Sequence, residues 1–129
     1  MKIMRRWHVI ELKYKTHAVE KLCTNLKVSR KKFGAQTAEA LFGLINLLES
    51  SDSLEDVNAL RNRHIHKLTG DHQGQYALDI EGRSSSYRLL VQLLDENEKV
   101  AVNVDNESIM SFYGRIQIIQ IEEVSKHYA

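Results

Sequence analysis

Proline is absent from the 129 residues, and with it one of the strongest local marks of a linker or a domain boundary. There is also no internal repeat and no low-complexity tract, and a chain of this length builds one core but not two. A single domain spanning 1–129 is therefore expected. Cysteine is nearly absent: Cys23 stands alone, which excludes an internal disulfide. Its neighbours Val19, Leu22 and Leu26 lie at helical spacing, so we read it as a buried core thiol in a reducing cytoplasm. No run approaches the roughly 18 apolar residues that cross a bilayer, and Met1 to His8 lacks the apolar stretch of a secretory leader. The expectation is a cytoplasmic protein with no membrane partner.

The familiar signatures of chemistry are missing too. No Walker-type loop, G-x-S-x-G, H-E-x-x-H or C-x-x-C pair occurs. His64 and His66 share one side of an extended segment, with His72 nearby, but no further ligand stands at diagnostic spacing and no cysteines accompany them. We expect no metal and no cofactor.

What is present is an uneven charge distribution. The formal net charge is only +1, yet residues 1–34 hold ten Lys/Arg against two Asp/Glu, and residues 35–129 hold eight against fifteen. Local potential rather than net charge steers association, so this basic N-terminal segment would attract phosphates. Within it, Arg30, Lys31 and Lys32 close a helical pattern, where cations also suit the macrodipole; for that cluster a solvated last turn is the simpler reading.

Periodicity orders the rest. Trp7 to Tyr14 alternates as an opening strand. From Thr16, a suitable N-cap, Val19, Leu22, Cys23 and Leu26 recur as one helix that stops at Gly34. Ala38, Leu41, Phe42, Ile45 and Leu48 form the core-facing stripe of a second, completing a helical hairpin about Gly34. Ser53 to Asp56 resembles a capping box and begins a short turn through about Leu60. Strands are predicted at Ile65–Leu68, Gln75–Asp79, Tyr87–Leu94 and Ile116–Ile121, with a weaker one at Val100–Val104. This order implies an α+β fold: an N-terminal strand and two-helix hairpin packed on a mostly antiparallel sheet whose other face is free to bind.

Lys67, Arg83 and Arg88 fall on or near those strands, and Lys126, His127 and Tyr128 follow the last one. Convergence on one concave surface would suit metal-free RNA cleavage. A 2′-hydroxyl attacks the adjacent phosphate, Lys67 and Arg88 stabilise the pentavalent charge, and His127 moves protons near neutrality. Tyr76, Tyr87 or Tyr128 would stack on a splayed base. Each also has a plainer reading, the arginines as solvated flanks and the tyrosines as half-buried core.

The segment His66-Lys67-Leu68-Thr69-Gly70-Asp71-His72-Gln73-Gly74-Gln75-Tyr76-Ala77-Leu78-Asp79-Ile80, then Tyr87-Arg88-Leu89, then Ile118 to Tyr128, resembles the HigB-like, plasmid maintenance killer branch of the RelE/ParE toxin superfamily. Ala18 to Thr24 and Lys31-Lys32-Phe33-Gly34 are similar to it as well, so the likeness covers nearly the whole chain. The resemblance implies a RelE-like fold and a toxin of a type II toxin–antitoxin pair, a mRNA endonuclease acting in the ribosomal A site without metal. It also implies a cognate antitoxin, of helix-turn-helix type, through which the complex binds operator DNA. By the same resemblance Lys67, Arg88 and His127 are the catalytic set. From charge and residue type, Arg83, Tyr76, Tyr87, Lys126, Tyr128, Arg30, Lys31 and Lys32 are expected to contact RNA.

Two departures stand out. Many relatives end in Asp-Tyr-His, whereas this chain reads Lys126-His127-Tyr128-Ala129, so the order differs and the acidic member is missing. The stretches Arg83–Ser86 and Asp95–Tyr113 are longer than in typical relatives, and long connections are often functional. Two further functions fit the scaffold: a ParE-like poison of DNA gyrase, and a RelE-like antitoxin-binding protein that has lost catalysis.

Overall fold

A computed structural model of the chain describes residues 9–59, 65–68, 74–81 and 87–126. Strand β1 (Glu11–Tyr14) leads to Thr16, whose hydroxyl accepts from the Val19 N–H and starts helix α1 (His17–Thr24). The single helix expected from Thr16 to Gly34 is broken at Asn25. Its extended backbone closes α1 by donating to the Lys21 carbonyl, while its side chain accepts from the Val28 N–H to open α2 (Leu26–Phe33). The short amide competes for nearby backbone groups, which is why asparagine suits caps better than helix interiors. Gly34 then turns the chain with φ +89°, a conformation glycine adopts without a Cβ clash, and α3 (Ala35–Ser50) follows. The expected hairpin is thus three helical segments.

On α3 the stripe Ala38, Leu41, Ile45 and Leu48 is buried, joined by Leu44, while Phe42 is only half-buried. Helix α4 (Leu54–Asn58) lacks the anticipated side-chain cap from Ser53 and is held by its buried Leu54 and Val57. Strands β2 (Ile65–Lys67), β3 (Tyr76–Asp79) and β4 (Tyr87–Leu94) fall where alternation placed them. Beyond β4 the chain turns on Asp95, whose carboxylate accepts from the Asn97 and Lys99 N–H groups. The weaker strand expected over Val100–Val104 reduces to one bridge, Val100 to Leu94, and helix α5 (Ile109–Gly114), which periodicity did not reveal, follows. Strand β5 (Ile118–Lys126) starts later and runs further than expected.

The sheet order is β1-β5-β4-β3-β2, antiparallel throughout except for the β1–β5 pair. The architecture is α+β, with the terminal strand in the interior of a five-stranded sheet. One face carries Tyr76, Leu78, Leu89, Val91, Ile119 and Ile121, all buried in the same cluster as Leu41, Leu44 and Leu48 of α3. Each such side chain contributes about 1.5–3 kcal/mol by leaving water. Phe112 and Tyr113 of α5 extend this core, their rings 6.4 and 6.2 Å from that of Tyr76. The other face carries no helix among the described residues. Opposite Leu90 and Val91, β5 places Glu123 and Ile121, so Glu122 is the extra residue of a bulge. Among the described residues no helix is long and apolar enough to cross a membrane.

Candidate functional site

Successive strand residues point to opposite faces, so the ladder decides which side chains can meet. Lys67 lies opposite Tyr76, which lies opposite Val91; Arg88 lies opposite Asp79. Arg88 is three positions from Val91 and so leaves the sheet on the other side from Lys67. The expected convergence of Lys67 and Arg88 on one surface is not found. The cause is strand parity, which spacing along the sequence does not reveal.

Lys67 is exposed beside a groove of about 220 Å³ that it lines with Gly74, Tyr76 and residues 100–103. Tyr76 itself is 6% exposed and belongs to the core, where burial raises its phenol above the usual range. A ring packed against Phe112 and Tyr113 does not stack on a base, so the proposed contact from Tyr76 is corrected to a structural role.

Arg88 meets a different neighbour. Its Nε is 3.3 Å from Oδ1 of Asp79, and His66 Nε2 approaches the same oxygen at 3.6 Å. The Asp79 side chain is 1% exposed and accepts no hydrogen bond from a described residue, so Arg88 acts on it through charge. No sequence motif marks Asp79. The available signal was an acid facing a cation across paired strands, a pairing that stabilises sheets.

Among the described residues, two lysines of this face are also paired with acids. Lys13 reaches Glu11 and Glu98, each at 3.4 Å, and Lys15 reaches the bulge residue Glu122 at 3.6 Å. Glu122 further accepts from Gln75 and Gln120. Among the described residues, the lysines of the helix-free face are therefore matched by nearby acids.

A second grouping forms at the end of the helical layer. Tyr87 packs its ring edge-on against Phe33, with centroids 5.0 Å apart, and lies opposite Lys126 in the β4–β5 ladder. Phe33 ends the turn that carries Arg30, Lys31 and Lys32, so this contact draws the basic turn of α2 and Lys126 to one end of the sheet. Arg30 pairs with Glu39 at 3.3 Å, while Lys31, Lys32 and Lys126 have no carboxylate at ion-pair distance among the described residues. Three described lysines thus gather at this end without a carboxylate partner among the described residues, whereas Lys13 and Lys15 on the helix-free face are each matched to acids.

Arg83, His127 and Tyr128 lie outside the described residues, as do His64 and His72. Among the described residues no three His, Cys, Asp or Glu side chains gather as a metal site. Cys23 is buried, and burial pushes its thiol up to about 12, which keeps it protonated and unreactive at neutral pH. Comparison with protein-family models, with curated proteins and with solved structures returns no match.

Proposed function

We propose that this chain is a HigB-like toxin of a type II toxin–antitoxin system, a RelE-like fold that cuts mRNA in the ribosomal A site. It acts in the cytoplasm without a metal, is neutralised by a cognate helix-turn-helix antitoxin, and reaches operator DNA only through that antitoxin. The observation that supports this reading most is the place of β5. It lies between β1 and β4 with Ser125 opposite Arg88 and Lys126 opposite Tyr87, and the sequence runs from Lys126 straight into His127 and Tyr128. The α+β order and the basic end at Phe33 and Tyr87 agree with it.

In this reading Arg88 stabilises the pentavalent phosphate and His127 transfers the proton. Lys31, Lys32 and Lys126 hold the flanking backbone. Lys67, on the opposite face, contacts a different phosphate. Induction in growing cells followed by primer extension on messages tests the proposal. Ribosome-phased cuts that disappear with Arg88→Ala are expected; DNA damage without cuts would replace the reading with a gyrase poison.

A second reading, a scaffold that binds an antitoxin without cleaving, draws on the pairing of Arg88 with buried Asp79. Harmless expression in the absence of any antitoxin would select it.

A further inference from the structure

We propose that Asp79 is a positioning residue that holds Arg88 as a two-pronged clamp for a phosphodiester oxygen pair on the helix-free face. The inference rests on the reading of Arg88 as phosphate-facing and assigns the residue that aims it. A carboxylate as buried as Asp79 is costly unless a cation compensates it, and Arg88 does so from the neighbouring strand β4, while the His66 imidazole lies 3.6 Å away on β2.

The geometry of that compensation is the argument. Arg88 approaches through Nε, the inner nitrogen of the guanidinium, at 3.3 Å. The terminal pair Nη1 and Nη2 has no partner among the described residues, and those two donors match the spacing of two oxygens on a phosphate. The side chain keeps 23% of its surface exposed, so the fork is within reach of a ligand. Lys13 and Lys15, the described lysines of this face, are point charges already matched to Glu11, Glu98 and Glu122 and have no second fork to offer. Ser125, opposite Arg88 in the ladder, adds a hydroxyl beside the clamp.

Positioning and plain electrostatics predict opposite signs. Removing a negative charge near an anion site raises affinity if charge alone matters. Releasing a long arginine from its anchor lowers affinity if the anchor sets the geometry. The probe is a dinucleoside monophosphate with a 2′-deoxy 5′ nucleoside, which binds but is not cleaved, and inorganic phosphate is titrated in parallel. The Arg88 Nε–H signal is followed by NMR.

The dinucleotide is expected to shift that signal in the wild type. Asp79→Asn, which keeps the side-chain volume, weakens binding at least tenfold, while Asp79→Glu loses no more than about threefold. Phosphate alone gives the same ordering more weakly; equal affinity for the two ligands would make the site one for free phosphate and overturn the phosphodiester assignment. An Asp79→Asn protein that binds as tightly as wild type, or tighter, overturns the proposal. So does an Arg88 Nε–H bond that is mobile in the free wild-type protein, a measurement that needs no variant to fold. Binding that follows this order without message cleavage in cells would count against the toxin reading alone.

Discussion

Lys67 and Arg88 leave one continuous ladder on opposite sides, Lys67 with Tyr76 and Val91 toward the helices, Arg88 with Asp79 away from them. Two cations separated by a sheet do not share one phosphate. The effects of Lys67→Ala and Arg88→Ala on RNA affinity are expected to add, with a coupling energy below about 0.5 kcal/mol. A double-mutant cycle by equilibrium titration checks this, and strong coupling would mean that both side chains reach the same group.

The end of the sheet marked by Phe33 and Tyr87 carries Lys31, Lys32 and Lys126, which have no carboxylate partner among the described residues. Lys31→Ala and Lys32→Ala together should weaken RNA binding across sequences and lower the slope of log affinity against log salt by about 0.7 per lysine for a single strand. Titration at several salt concentrations measures the slope. An unchanged slope would place the backbone path elsewhere.

The break between α1 and α2 depends on one side chain. Asn25→Ala removes the acceptor for the Val28 N–H and leaves residue 25 free to continue the helix. We expect a loss of about 1 kcal/mol in urea unfolding, within the usual 0.5–2 range for a cap.

How much of this was readable in advance follows from which interactions are local. The α3 stripe, the extent of β4 and the α+β class come from periodicity, which any buried face imposes on its own segment. Asn25 was passed over because one polar residue interrupts a helical pattern without erasing it. Helix α5 was missed since its six residues, Ile109–Gly114, are too few to show a period. The facing of Lys67 and Arg88 depends on register across β2, β3 and β4, and the Asp79 pairing on the same register. Such relationships are set by strands meeting, so residue spacing names the candidates but not their partners.

Burial predicts an alkaline limit. The Tyr14 and Tyr113 phenols and the Cys23 thiol are all pushed up to about 12, chiefly by burial. In the unfolded chain they ionise near their ordinary values of about 10 and 8.5. Between those values and 12 the native state holds protons that the unfolded state has released, so stability is fully present below pH 8 and falls as pH rises. Urea midpoints should decline steadily from about pH 9 to pH 12. Cys23 should resist thiol reagents at pH 8 until the protein is unfolded.

The connection between β4 and α5 is held by Arg115. Its guanidinium donates to both carboxylate oxygens of Glu107, at 2.6 and 2.9 Å, and to the Val102 carbonyl at 2.7 Å, while Glu107 accepts from the Val104 N–H. The hydrogen bond from Arg115 keeps the Glu107 carboxyl below its usual range, so the clamp persists at neutral pH and opens only as pH falls through that lowered value. Arg115→Ala should speed amide exchange at Val104 at least tenfold with little change in melting temperature. Unaltered exchange would show that the segment is ordered by other contacts.

The interior position of β5 has a consequence for synthesis. Glu11 of β1 pairs with Ile118, and Leu94 of β4 pairs with the same residue from the other side. Until the ribosome has released β5, β1 and β4 are both edges with unsatisfied backbone groups, and the two halves of the sheet have nothing between them. The core is therefore completed only when β5 joins, through contacts of long sequence separation that form slowly. A nascent molecule is most open to a partner, or to aggregation, in the interval before its last strand arrives.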